Sequence, residues 1–461
     1  MEKLKKNQKF KSTVVDLYYD GNGVAKCDGL VVFIPGVLKG EEVEGIIINA
    51  KSKYVVGKAQ EIINKSQDRI EPLCPYFLKC GGCNLQHMKY SEQLKFKKQQ
   101  IQKLLGDDVN VEDTFASKEY RYRNKVALPV GVNGDIGFYR LGSHNIVPVT
   151  DCPICGEFVK PLIQAANELV KNNMKIKHVV ARELSGHIII TLVVCDKKDI
   201  DKENTINIFD KFFNNYSINI NINKLDNNVI LSDKFINLKG DDSIEHKSLD
   251  VVTHVSNGSF FQVNQSVSEE IYKQVLANID NNSVVIDCYS GAGLMTAILA
   301  KRAKKCYGIE IVKSATEDAN KLKKENNILN MENINGDCAE VLPKLAAKLL
   351  KEKVNMVVDP PRKGVDKKVL ETIISVKPDK IIYVSCNPAT LARDAEIIKQ
   401  AGYSIAFAKG FDMFPQTHHV ETLCVFIKPK VQKKVVQSKP NFKDKYFNFY
   451  DDIKIASNDE W

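Results

Sequence analysis

The feature that most limits the fold is an alternation of apolar strands and amphipathic helices in the last third of the chain. Residues 284–287 read as a strand and 293–302 as a helix; 306–310 read as a strand and 313–326 as a helix. Two more strands, 354–359 and 380–385, follow with a helix between them. Parallel strands need crossover connections, and helical crossovers cover both faces of the sheet. The expected fold class is therefore α/β, a doubly wound domain with ligands at the carboxyl ends of its strands. Residues 404–409 and 422–427 are expected as an antiparallel pair closing that sheet.

The chain ahead of this domain has a different texture. Residues 12–63 give short strands broken by turns, such as Asp20-Gly21-Asn22-Gly23. That pattern fits a small β-barrel of the oligonucleotide-binding type, or another small β-module. Residues 71–90 hold four Pro or Gly and three Cys, and 91–105 read as an amphipathic helix. The middle, about 120–250, is mostly strand-like, and its Asn-, Asp- and Lys-rich part at 197–248 carries no assignable chemistry. The tail from 431 is Lys-rich and ends in acidic and aromatic residues, as expected of a flexible appendage. A chain of 461 residues is long enough for two or three domains.

Charge and cysteine usage narrow the function classes. The net charge of +9 suits a phosphate-rich partner. The longest apolar run, 188–195, has strand length, and residues 1–11 are lysine-rich without an apolar core. No membrane association is expected, and the location expected is cytoplasmic. Twelve cysteines in a reducing compartment are expected as thiols, so clustered ones point to metal or catalysis.

In VVIDCYSGAG (284–293) a strand runs into a glycine turn and then a helix. Glycines let a ligand approach the backbone, and a second acid, Glu310, ends the next strand where it can bind ribose hydroxyls. Thr296 stands where the dinucleotide fingerprint has its third glycine. That argues against NAD and for S-adenosylmethionine, which has no pyrophosphate to cradle. Asp337, after the next strand position, is a candidate adenine contact. In VVDPPR (357–362) two prolines fix a rigid corner that holds Asp359 beside cofactor and substrate, a pattern typical of methyltransferases.

IIYVSCNP (381–388) is a further buried strand ending in Cys386. A lone cysteine is usually buried filler, but a strand end next to the DPP corner suits a nucleophile. In FPQTHHVE (414–421), Glu421 is the best candidate base, with His418 and His419 as rivals. Cys74, Cys80 and Cys83 lie close in sequence, with Gly81-Gly82 inside the C-x2-C, and Cys152 comes later. Four thiolates suit an iron–sulfur cluster or zinc, and Cys152-x2-Cys155 paired with Cys80-x2-Cys83 would make an all-cysteine zinc site. Arg121, Arg123 and Lys125, if on one strand, share a face able to grip phosphates.

Together these motifs resemble the bacterial RNA uracil-C5 methyltransferase family, in its 23S ribosomal RNA branch. The residues that carry the resemblance are CPYFLKCGGCNLQHM, YRNK, DCPIC, FFQVNQ, DCYSGAG, DPPRKG, YVSCNPATLARD and FPQTHHVET, spread from near residue 10 to about 428. The resemblance implies an RNA-binding barrel of the TRAM type (1–65), a central cluster-bearing, mostly β domain (66–255) and a Rossmann-like class I methyltransferase domain (256–430) before the tail (431–461). It implies Cys386 as nucleophile and Glu421 as base. Gln262, Tyr289, Glu310 and Asp359 fall on its cofactor-binding positions, with Asp337 near the adenine. Cys74, Cys80, Cys83 and Cys152 become ligands of a [4Fe-4S] cluster, leaving Cys155 spare. The expected partner of this monomer is RNA, 23S ribosomal RNA first, with S-adenosyl-L-methionine as methyl donor. A cytosine-C5 enzyme fits less well, because such enzymes carry a cysteine after the proline pair and here Arg362 stands there. A scaffold with a dead site fits less well than an enzyme, because the cofactor acids, Cys386 and Glu421 are all present.

Overall fold

The structure is a computed structural model, and it describes residues 4–225, 227–349 and 351–428. The tail from 431 lies outside the described residues. Among the described residues no helix is long and apolar enough to cross a membrane.

The C-terminal alternation builds an eight-stranded sheet. Its order is Met331–Asn335, Lys305–Glu310, Val284–Cys288, Val354–Val358, Lys380–Ser385, Glu421–Ile427, Ser404–Phe411 and Val111–Phe115. The first five strands are mutually parallel, as the helical crossovers require. Chain order reverses between Val284–Cys288 and Val354–Val358, so the switch-point crevice opens above the carboxyl ends of these two strands. Both faces are covered, and strands such as VVIDC and VNMVV are buried at every position. This is a Rossmann-like α/β fold. The antiparallel pair 404–411 and 421–427 closes one side as expected.

The eighth strand was not legible in the sequence. Val111–Phe115 runs parallel to Ser404–Phe411. The helix Tyr90–Leu105 before it buries Phe96, Ile101 and Leu105. Its Lys97 Nζ meets Asp412 Oδ1 at 2.5 Å, with both side chains fully buried. A charge removed from water needs such a partner, and the pair ties this helix to the segment that leads to Glu421.

Ahead of it, six strands between Lys9 and Asn64 form one β-rich unit around Phe10, Val32, Ile34, Val43 and Ile47. A five-stranded sheet follows, in the order Phe235–Lys239, Tyr216–Ile222, His187–Val194, His178–Leu184 and Lys125–Pro129. Helices Val159–Lys171 and Lys202–Asp210 pack on its apolar face. The expected strand carrying Arg121, Arg123 and Lys125 does not form. The strand starts at Lys125, and Arg121 takes φ +56° and pairs with Asp151 at 2.6 Å and Glu157 at 3.3 Å. Two nearby carboxylates and a left-handed turn remove Arg121 from that face.

Candidate active site

Above the switch point lies a cleft of about 2930 Å³. It is lined by Tyr289, Glu310, Asp359, Cys386 and Glu421 from the large sheet, by Gln262 from the preceding loop, and by Cys74, Cys80, Cys83 and Cys152.

At the glycine turn, Tyr289, Gly291 and Gly293 all take left-handed conformations, with φ +64°, +53° and +81°. A Cβ on Gly291 would meet nothing within 4 Å, whereas one on Gly293 would sit 2.7 Å from Ala319 Cβ. Gly291 thus leaves open space for a ligand, and Gly293 serves helix packing. Glu310 accepts from Gly291 N at 3.0 Å and Val312 N at 2.8 Å, which fixes its carboxylate over the turn. Thr296, in the place of the absent glycine, donates to the buried Asp287 at 2.6 Å. Burial, then repulsion from Asp359 and Glu310, pushes Asp287 up to about 7. Asp337 is exposed, caps the helix Cys338–Ala346 by accepting from Ala339 N at 2.7 Å, and is not among the residues lining the cleft.

The candidate reactive residues are set by strand ends. Lys380–Ser385 pairs antiparallel with Glu421–Ile427, from Lys380↔Ile427 to Ser385↔Thr422. One step further on each strand are Cys386 and Glu421. On the other side Val358 pairs with Tyr383, so Asp359 leaves its strand beside the same end. Burial pushes the Cys386 thiol up to about 12; Glu421 and Asp359 add repulsion, while the Arg362 cation opposes them. Burial raises Glu421 to about 8, with Asp359 adding and Arg362 subtracting, and burial raises Asp359 to about 7. Two carboxyls raised toward neutrality beside a thiol have the makings of an acid–base site. His419 is a poor rival base, because burial and then Arg362 lower it to about 3. His418 is engaged with Asn84, through Nδ1 to Asn84 Nδ2 at 2.6 Å and N to Asn84 Oδ1 at 2.9 Å.

Sequence reasoning missed what holds the 414–419 segment. Gln416 is fully buried at φ +71°, a strained conformation for a residue with a side chain. Gln93 holds it through two hydrogen bonds, and Asn84 N and Leu85 N both donate to its carbonyl. Tyr122 Oη donates to the carbonyl of Pro415 at 3.0 Å. The residues just after Cys83 therefore clamp the segment just before Glu421. An Asn after a C-x2-C and a Gln mid-helix gave no signal of this.

The four cysteines come together around one point: Cys83 feels the charges of Cys152, Cys80 and Cys74. N–H donors reach their sulfurs, with Gly82 N on Cys80 at 3.4 Å and the Tyr76 and Phe77 amides favouring the Cys74 thiolate. Cys155 is buried and hydrogen-bonds Cys152, which holds the Cys152 thiol below its ordinary range. No three of these sulfurs lie within 4.8 Å of one another, wider than the roughly 3.8 Å that zinc–sulfur bonds of about 2.3 Å impose on a tetrahedron. Four cysteine sulfurs with amide donors suit thiolate ligation of an iron–sulfur cluster or of zinc.

Residues 89–430 match the family model of the tRNA (uracil-5-)-methyltransferases. An uncharacterized RNA methyltransferase of Clostridium tetani is 39% identical over 444 residues, covering 91% of this chain and 96% of its own. Another, of Halalkalibacterium halodurans, is 38% identical over 445 residues, covering 91% of this chain and 97% of its own. The crystal structure of Pyrococcus abyssi tRNA (uracil-54, C5)-methyltransferase in complex with S-adenosyl-L-homocysteine aligns with a TM-score of 0.74 at 26% identity, over 91% of this chain and 100% of that one.

Proposed function

The chain belongs to the tRNA (uracil-5-)-methyltransferase family of S-adenosylmethionine-dependent RNA methyltransferases, and from that premise we propose that it methylates C5 of a uracil through a transient bond between Cys386 and C6. The observation that carries this reading is the meeting of Cys386, Glu421 and Asp359 at three adjacent strand ends.

Uracil C5 is too weak a carbon nucleophile to attack a sulfonium methyl unaided. The Cys386 thiol passes its proton to the neighbouring Asp359 carboxylate, its sulfur adds to C6, and the electron pair of the C5–C6 double bond becomes an enolate centred on C5. S-adenosylmethionine, when bound, supplies the methyl cation equivalent that C5 takes. Glu421 then removes the C5 proton, the double bond re-forms, and the sulfur leaves C6. Arg362 favours the thiolate that starts the sequence. Gln262, Tyr289, Glu310 and Asp359 are the proposed cofactor contacts. Asp337, proposed from the resemblance as a neighbour of the adenine, is supported by its contacts only as a helix cap.

Cys74, Cys80, Cys83 and Cys152 are proposed to hold a [4Fe-4S] cluster. Its place is structural, ordering the loop that ends in Asn84, and no step above needs an electron. The N-terminal β-rich unit is proposed as an RNA-binding barrel of the TRAM type. The RNA is proposed to be 23S ribosomal RNA, on the resemblance of the motifs to that branch. Transfer RNA is the second reading, because the Pyrococcus structure bears a transfer RNA enzyme's name. Methylation of unmodified ribosomal and transfer RNA with labelled S-adenosylmethionine, followed by mapping of the labelled base, decides between them. Label in cytosine, or in neither RNA, would overturn the proposal.

A further inference from the structure

The two faces of the five-stranded central sheet differ. Val126, Leu128, Ile190 and Ile218 point into the apolar core. The opposite face carries Lys125, Arg182, Thr191, Ser217 and Asn219, which the registers place side by side. The cleft that holds Cys386 extends along this polar face, past Ala127, His178, Ser259 and Phe261.

Lys125 and Arg182 are direct partners on neighbouring antiparallel strands. Like charges in that relation repel. Arg182 is 1% exposed, and only its Nη2 is bonded, to the Ser259 carbonyl at 2.9 Å; Nε and Nη1 have no partner. Lys125 Nζ spends one donor on the Asn257 carbonyl at 3.1 Å. Among the described residues neither cation is paired with a carboxylate. Burial and then the charges of Arg182 and Arg123 push Lys125 down to about 7. The ring of Phe261 lies 5.8 Å from the Arg182 guanidinium and also lines the cleft, so it stands between the cleft and the buried cation.

A buried guanidinium with two unspent N–H groups beside an ammonium is matched by a tetrahedral oxyanion, which accepts a two-pronged bond from arginine and a point charge from lysine. We propose that Lys125 and Arg182 form a seat for one phosphodiester group of the bound RNA, with Phe261 as its movable cover. This rests on the RNA-substrate reading above but on none of its chemistry at C5. The seat lies under the loop that carries Phe260 and Gln262 into the cleft, since Asn257 and Ser259 of that loop accept from the same two cations. Filling it would fix that loop as the nucleotide docks.

The test reads RNA binding and not methyl transfer, so a wrong mechanism at Cys386 does not disturb it. Full-length protein is titrated with a short labelled single-stranded RNA containing uridine, and then with versions in which each linkage in turn is an uncharged methylphosphonate. Lys125→Met should weaken binding about tenfold and lower the salt slope by about 1, while the melting temperature of the free protein does not fall. One linkage should lose affinity when neutralised in the wild type and lose none in Lys125→Met. Arg182→Gln should show the same silence at the same linkage, and serves alone if the lysine variant does not fold. Unchanged affinity and slope, or losses that add at every linkage, would overturn the proposal.

Discussion

Glu421 stands across the strand ladder from Cys386, one step past the Ser385–Thr422 pair that ends the antiparallel register. Two residues 35 positions apart are thus fixed relative to each other by backbone pairing, the stiffest connection a fold offers. Asp359 completes the group from the parallel side. A one-residue slip of either strand would turn one of the pair to the opposite face of the sheet.

The pH dependence of turnover follows from the charges of that group. Glu421 acts as a base only when ionised, and its burial raises it to about 8. The expected profile of kcat climbs with pH through about 8 and has no alkaline fall from the Cys386 thiol, which lies at about 12 and must itself lose its proton to react. A profile already flat at about pH 6 would show that a group of ordinary carboxylate acidity does the work.

The same shift has a stability consequence of known sign. Between the ordinary 4.5 and about 8 the folded chain keeps a proton on Glu421 that the unfolded chain has released. Stability from this group is fully present below the lower value and is lost as pH rises through the upper one. Glu421→Gln removes that dependence, so its melting temperature relative to wild type should increase from about pH 5 to about pH 9. A constant difference would mean that the carboxyl is not shifted upward.

Asn84 is a positioning residue and not a catalytic one. Its side chain bonds His418 twice and the Asp20 carbonyl at 2.6 Å, linking the N-terminal unit, the cysteine loop and the 414–419 segment. Asn84→Ala should lower kcat by about tenfold or more through misplacement of Glu421, with affinity for S-adenosylhomocysteine unchanged. Calorimetry showing equal loss of cofactor binding would instead indicate general unfolding of the cleft.

Metal content separates the two cysteine readings. Protein purified without oxygen should hold about four irons and four sulfides per chain. Cys83→Ala should lose them, while Cys155→Ala should keep them. Stoichiometric zinc without iron would favour the set that includes Cys155.

How much of this was readable before the fold was known depends on how local each signal is. The parallel strands and their order of acids were legible because a buried strand followed by a glycine turn or a DPP corner is written in consecutive residues. The buried strand that ends before Cys386 was legible for the same reason. The strand Val111–Phe115 was not, because it joins a sheet whose other members come at least 169 residues later. The Arg121 expectation failed because strand alternation was assumed where Asp151 and Glu157 impose a turn. Asn84, Gln93 and Gln416 act through pairings across more than 300 positions, and single polar residues in a helix or loop carry no mark of such partners.

The central claim is that Cys386 bonds the base and Glu421 releases it. After methyl transfer, C5 bears both the new methyl and its original proton, and the sulfur can leave C6 only when that proton is taken. Glu421→Gln keeps the side-chain shape and removes its basicity. With labelled S-adenosylmethionine and RNA it should accumulate a methylated RNA covalently joined to the protein and stable to denaturing electrophoresis. Cys386→Ala in the same background should erase that band. Normal turnover by Glu421→Gln, or lost activity with no labelled adduct, would contradict the account and pass the proton to His418, His419 or water.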